Sequence, residues 1–242
     1  LPTISVQKSL AADGAILRSS SLTPQTLART QLAEDVACIV RKRIFDGTYA
    51  AGTYVRLDQL AADLGISVTP VREALFELKA EGLPAQKPHR GFVVLPVTGR
   101  DLTDLSNVQA YIGGELAARA AANISDEQLS ELQQIQSDLE DACAIDDDER
   151  AVRLNHEFHR AINVASDSPK LAQLMSQITR YAPESLFPII TGWPEKSNKH
   201  HRRLLAALEK RDENLARTAM SEHLAAGAKP LIDHLTSRGV VR

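Results

Sequence analysis

Apolar residues recur along the chain at helical spacing in one stretch after another, and the breaks between stretches define the elements. Leu32, Val36, Ile39, Val40 and Ile44 form one stripe, which predicts a helix over 29–45 that Asp46-Gly47 stops. Leu57, Leu60, Ala61 and Leu64 form the next, with Asp58, Gln59 and Asp63 on its wet side. Gly65 ends it, because glycine takes the left-handed conformation without a Cβ clash, and Ile66 plugs the corner. Thr69 as N-cap and Pro70 at the first helical position predict a further helix over 70–81, with Val71, Ala74, Leu75 and Leu78 inward and Gly82 closing it. The period then changes. From Pro84 to Pro96 short β-favouring runs flank His89-Arg90-Gly91, which predicts a hairpin with a cation at its tip.

Two short helices, a tight turn and a hairpin follow one another as in a winged helix-turn-helix, and this points to DNA. Such a fold puts the exposed N-terminal end of its second helix into the major groove. Ser67, Thr69 and Arg72 fall there, with Arg72 the reader of a base edge or phosphate, and His89, Arg90 and Gly91 fall on the wing. Two helices alone would equally suit a packed corner of an all-helical domain; the wing separates the two readings. Arg41, Lys42 and Arg43 on the first helix are either phosphate contacts or a solvated charged face.

Pro96 and Gly99 mark a linker, and beyond it the helical period never returns to a strand period. Thr98 and Asp101 resemble a capping box, and apolar-periodic segments follow at about 101–122, 126–144, 149–165, 170–182, 196–211 and 212–236. Pro183, Pro188 and Pro194 break one connection around Trp193, which suggests a covering loop or broken helix. The fold class is therefore mainly α: an extension of poor order over 1–28, a winged helix-turn-helix over 29–97 and an all-helical bundle over 98–242.

Composition changes this picture little. No apolar run approaches the roughly 20 residues needed to span a bilayer and no signal-peptide pattern is present, so a cytoplasmic protein without a membrane partner is expected. Cys38 and Cys143 lack CxxC spacing and read as buried or free thiols. The net charge of −3 is uneven: 29–97 holds 9 Lys+Arg against 8 Asp+Glu, and 98–242 holds 17 against 22. DNA binding then rests on a few placed cations, duplicated in a homodimer whose symmetry matches a palindromic operator.

LAADLGISVTPVREALFELKAEGL followed by PHRGFVV resembles the DNA-binding domain of the GntR family of bacterial transcription regulators. The resemblance implies a regulator, most often a repressor. Family members usually carry Arg, a reader of guanine, where this chain has Val68; losing such a bidentate contact forfeits about 1–3 kcal/mol of base discrimination. An operator unlike the common one, or heavier dependence on Arg72 and Arg90, is expected. Asp58 also replaces a basic residue found in some relatives.

The bundle holds a second set. Asn155 and His159 are four apart on one helix, His201 aligns with Leu204, Leu205 and Leu208, and His223 with Ala216, Ala219 and Met220. Three imidazoles and one oxygen suit a divalent transition metal such as Zn or Ni, with water or a carboxylate completing the shell, although scattered histidines are commonly plain surface or core residues. LNHEFHRAI and HHRRLLAALEKRDENLARTAMSEHL resemble the FCD effector domain of the FadR-like branch. That resemblance implies a metal held by Asn155, His159, His201 and His223, Asn155 replacing a commoner and stronger Asp ligand. An open position on such a metal coordinates carboxylates, so a small carboxylate effector is expected. The family's early helix often bears Arg four residues before a Glu; Tyr111 stands there before Glu115, and Arg180 is the substitute cation, or else a surface or dimer contact. His156 and His200 are expected to point about 100° away from their neighbouring ligands.

A metalloenzyme and a pure metal sensor are the alternatives. His156-Glu157 begins an HExxH motif, but Arg160 stands where the second His belongs, and no GxSxG elbow, P-loop or GxGxxG accompanies it, so no enzyme is expected. A metal sensor would use the same histidines.

Overall fold

The computed structural model describes residues 24–181, 187 and 190–241. The chain runs α1 (Pro24–Phe45), β1 (Tyr54–Val55), α2 (Leu57–Leu64), α3 (Val68–Ala80), β2 (Pro84–Lys87) and β3 (Gly91–Val94), and continues as α4 (Gly99–Asn123), α5 (Asp126–Ala144), α6 (Asp148–Ala165), α7 (Pro169–Thr179), α8 (Trp193–Glu209) and α9 (Glu213–Ser237). It is mainly helical, with a small sheet beside α3.

The expected helix-turn-helix forms, with two shifts. α1 begins at Pro24 rather than near 29. α3 begins at Val68, so Ser67 and not Thr69 is the N-cap, extended at φ −76°, ψ 158° and making no side-chain cap hydrogen bond. Pro70 thus sits inside the first helical turn, where its missing N–H has no intrahelical acceptor to lose. Gly65 ends α2 at φ 67°, its N–H reaching the Ala61 and Ala62 carbonyls.

β3 lies between β1 and β2 and is antiparallel to both, pairing Val55 with Phe92 on one side and Lys87 with Gly91 on the other. β1 was not foreseen, since two residues carry no period. At the wing tip the Arg90 N–H donates to the Lys87 carbonyl (3.1 Å), and His89 takes φ 61°, the positive value a type II turn requires after Pro88. Gly91 (φ 87°) follows, and a Cβ there would lie 2.6 Å from the Val55 carbonyl oxygen. Only glycine lets β1 cross so close.

In the bundle, Thr98 and Asp101 form the expected capping box at the start of α4. α7 stops at Thr179, short of 182, and α8 begins at Trp193 with Pro194 in its first turn, so Pro194 starts a helix instead of breaking one. Pro183 and Pro188 lie outside the described residues. α4 and α9 form a spine. A Cβ at Gly113 would meet Leu224, and one at Gly114 would meet Ser221 and the Arg217 carbonyl, so the two glycines set the closeness of approach. Ser106 donates to the Leu224 carbonyl (3.1 Å) and Ser221 to the Ala110 carbonyl (2.8 Å), fixing the register.

One apolar cluster joins the two halves. Val40, Ile44, Leu75, Leu78 and Phe92 share it with Leu102, Trp193, Leu231, Leu235 and Val241, and Val97 bridges Val241. Each such aliphatic or Phe side chain, fully buried, contributes about 1.5–3 kcal/mol; the Pro96–Gly99 junction is thereby a packed corner as well as a connection. A second cluster, including Leu132, Phe158, Ile162, Leu204 and Met220, fills the bundle. Among the described residues no helix is long and apolar enough to cross a membrane.

Candidate DNA-reading surface and metal centre

Val71, Ala74, Leu75 and Leu78 are fully buried and hold one side of α3 against the core. That leaves Ser67, Thr69 and Arg72 exposed at its N-terminal end, with the Ser67 hydroxyl uncommitted to capping. Val68 is half-buried and packs against the core cluster, so the residue replacing the family's Arg serves packing. Lys87, Pro88, His89 and Arg90 are exposed on the wing, while Gly91 provides the clearance beside β1. Asp58 is exposed on α2.

Of Arg41, Lys42 and Arg43 on α1, two are used inside the domain. Arg41 grips Glu81, the C-cap of α3, through two hydrogen bonds of 2.6 and 3.1 Å, with both side chains largely buried. Arg43 donates to the Tyr49 hydroxyl (2.7 Å) and lies over its ring. The charged face of α1 is therefore partly a brace, which sequence spacing could not distinguish from a phosphate contact.

In the bundle, α6, α8 and α9 bring His159, His201 and His223 together. His201 Nε2 lies 3.2 Å from His223 Nε2, which lies 3.3 Å from His159 Nε2, and the three ligand atoms all fall within 4.8 Å of one another. Ligands 2.0–2.1 Å from a tetrahedral Zn are spaced about 3.3 Å apart, so the two short edges fit such an ion. Phe158 stacks on His201 at a centroid distance of 4.1 Å, and His159 stacks on His223 at 5.2 Å. Burial first, and then the neighbouring imidazoles, hold His201 and His223 well below the ordinary histidine value of 6.5. Both are neutral at neutral pH, the form that ligates a metal.

A residue the sequence did not single out fixes which nitrogen is free. The buried Gln136 gives its amide hydrogens to Glu140 Oε1 (2.9 Å) and Asn198 Oδ1 (3.1 Å), and Glu140 is itself held by Arg202. A carboxylate accepts only, so the amide cannot be flipped, and Gln136 Oε1 must accept from His201 Nδ1–H at 2.8 Å. His201 Nε2 then presents its lone pair to the cluster. The pattern of an outer partner setting the tautomer of a ligand histidine is the one metal sites use. His223 Nδ1 is buried with no hydrogen-bond partner among the described residues, its ring stacked on Trp193.

Asn155, His159 and His223 line one side of a cavity of about 1370 Å³. Its walls come from both halves of the molecule: Arg41 and Lys42 from α1, Gln109 from α4, Met175 and Arg180 near α7, and Leu231 from α9. Asn155 therefore faces the cavity beside His159, and Arg180 lines it as well. His156 lines it too, and the His200 ring stands 5.7 Å from His223, so neither is as remote from the centre as the 100° argument suggested. Burial and then Lys196 lower the His200 pKa. Tyr111 is 72% exposed and does not line the cavity, and Glu115 pairs with Arg217 on α9 (2.7 Å). The position expected to lack an effector cation is outside this cavity altogether. Arg180 bonds Glu77 of α3 at 2.9 Å.

Comparison with known proteins returns two families in series. The family of bacterial regulatory proteins called gntR matches residues 32–94, and the FCD domain matches residues 104–226. The HTH-type transcriptional regulator McbR of Escherichia coli is 30% identical over 180 residues, covering 73% of this chain and 81% of McbR. A probable D-xylose utilization operon transcriptional repressor of Paenarthrobacter nicotinovorans is 29% identical over 205 residues, covering 84% of this chain and 90% of the relative. The solved structure of E. coli McbR/YncC superposes with a TM-score of 0.68 at 25% identity, covering 84% of this chain and 98% of that one. Each of these matches is to a transcription regulator and none to an enzyme.

Proposed function

Because the chain belongs to the GntR family of bacterial transcription regulators, in the group that carries an FCD domain, we propose that it is a metal-dependent, acid-responsive repressor. Binding DNA is the family's function; the effector, the metal and the direction of control are proposed for this chain. One observation carries it: three imidazole nitrogens converge beside a cavity that residues of the DNA-binding domain also line.

Asn155, His159, His201 and His223 would hold the divalent cation, Zn or Ni by the nature of the donors. When bound, it offers an open position to a carboxylate. The chain's own residues do the rest: Gln136 keeps His201 Nε2 unprotonated, Phe158 and Trp193 exclude water from two sides, and Arg180 supplies a positive charge on the cavity wall. The volume favours an organic acid over a signal consisting of the metal alone, since an ion needs no such space.

At the other end, Ser67, Thr69, Arg72 and the wing residues His89 and Arg90 meet the operator, with Gly91 shaping the wing. The near-neutral charge of the domain favours a homodimer on a palindromic site, each copy contributing few cations, and membership of a family of bacterial regulators that act on DNA favours the cytoplasm. An acid that prefers one arrangement of cavity and DNA-binding domain shifts the population toward or away from the spacing both half-sites need.

The test is metal content of chain purified without a metal-affinity column and dialysed, followed by operator titration with and without carboxylates. About one transition metal per chain and acid-dependent operator affinity are expected. A chain that neither retains nor regains metal loses the metal part of the reading, and operator affinity blind to every acid loses the rest.

A further inference from the structure

Arg180 has two roles that compete. Its side chain lines the cavity, and its guanidinium donates to Glu77 on α3, the helix whose other end reads DNA, at 2.9 Å. Glu77 itself is not part of the cavity wall. We propose that Arg180 is an exchange latch: without ligand it adds a tie between α3 and the helical bundle through Glu77, and an organic dianion in the cavity takes the guanidinium over and loosens that end of α3 while the shared apolar core stays packed. The proposal rests on the reading of the cavity as an acid site, and deepens it by naming the ligand class and the contact through which occupancy reaches the DNA-binding helix.

The contrast with the other guanidinium at this boundary supports the assignment. Arg41 also lines the cavity, but it grips Glu81 through two hydrogen bonds and the pair is nearly dry, at 13% and 10% side-chain exposure. Removing one partner of such a pair leaves an uncompensated buried charge, so it stays closed. Arg180 and Glu77 are 48% and 34% exposed and meet through a single hydrogen bond. An ion pair of that kind is worth about 0.2–1 kcal/mol, so a carboxylate delivered by a bound ligand displaces Glu77 at little cost. Glu77 then returns to water.

The ligand class follows from the walls. Asn155, His159 and His223 at the metal centre suit one carboxylate, Arg180 suits a second anionic group, and Leu102, Leu105, Met175 and Leu224 suit an apolar body. At about 1370 Å³ the cavity has room for both anionic groups and the chain between them.

The experiment compares the dicarboxylates succinate, adipate and suberate with butyrate, hexanoate and octanoate, at constant ionic strength and saturating Zn²⁺, by calorimetry on wild type, Glu77→Gln and Arg180→Gln. Hydrogen exchange of the α3 amides is followed in parallel. At least one dicarboxylate is expected to bind wild type more tightly than its one-carboxylate partner. Glu77→Gln should bind it a further ~1.4-fold to ~5-fold more tightly, the strength of the released pair, with no change for the monocarboxylates. Arg180→Gln should erase the dicarboxylate advantage. Ligand should speed α3 exchange in wild type and leave it unchanged in Glu77→Gln, where it is already fast. Dicarboxylates that bind wild type and Glu77→Gln alike overturn the latch while the acid site stands. Binding of monocarboxylates with no dicarboxylate advantage removes Arg180 from the ligand and overturns it as well. No binding by any of the six acids overturns the acid reading and the latch together.

Discussion

Ser67, Thr69 and Arg72 stand exposed on a helix whose other side is sealed, whereas His201 and His223 are sealed themselves and owe their state to neighbours on other helices. The first arrangement fixes a backbone and leaves side chains free to meet whatever DNA presents. The second fixes tautomer, charge and direction before any ligand arrives. A site that meets a large partner can be organised by one helix, while a site for an ion must be organised atom by atom, and the two should fail differently when mutated.

The comparison is tested most severely at His201. His201→Ala removes one of the proposed ligands and should lower metal affinity by well over the roughly 10–100-fold that losing an outer partner costs, while metal-free operator affinity stays near wild type. Competition with a chromogenic chelator reads this, and retained metal would remove His201 from the centre. Gln136→Leu should lose about 10–100-fold in the same assay, because both His201 tautomers become available. Wild-type affinity there would mean that the tautomer is set by something other than Gln136.

On the exposed side, Arg72→Ala should cost about 1–3 kcal/mol of specific operator binding with an unchanged melting curve. Operator and scrambled-DNA binding curves that are the same for variant and wild type would exclude Arg72 from the interface. Gly91→Ala combines a φ of 87° with a Cβ 2.6 Å from the Val55 carbonyl, and should destabilise the wing by about 1–3 kcal/mol. Amide exchange across β1 and β3 should report it, and an unaffected sheet would show that β1 has room to move away from Gly91.

The smallest effect is on pH. In the metal-free chain His201 and His223 stay neutral well below 6.5, whereas the unfolded chain takes up protons as pH falls through that value. Stability is then flat above about 6.5 and declines as pH drops below it, since the unfolded state binds more protons. Denaturant titrations at pH 7.5, about 6 and about 5 should follow that sign, and rising stability on acidification would contradict neutral buried imidazoles.

Local patterns made much of this legible in the sequence. The α2 and α3 stripes, the Gly65 stop, the hairpin around His89-Arg90-Gly91 and the Thr98 capping box are set by residues close in the chain, and all of them form. The histidines were legible as a set through their helical phase and a family resemblance, and three of them converge. What escaped depends on partners far apart in sequence: Gln136 with His201, Glu77 with Arg180, and Val55 passing over Gly91. No spacing rule reports that Ser67 and not Thr69 precedes α3, because Pro70 suits any place in the first turn. Arg41 looked like its neighbours until Glu81 came within reach.

Leu102, Leu231, Leu235 and Val241 fill the same cluster as α1, α3 and the wing. A protein engineer who cut this chain at Pro96 to graft the reader onto another domain would carry away an oily scar, and would leave its mirror image on the remaining bundle. A workable chimera must take the first turn of α4 and the final residues of the chain along with the reader, so the modular unit here is discontinuous in sequence.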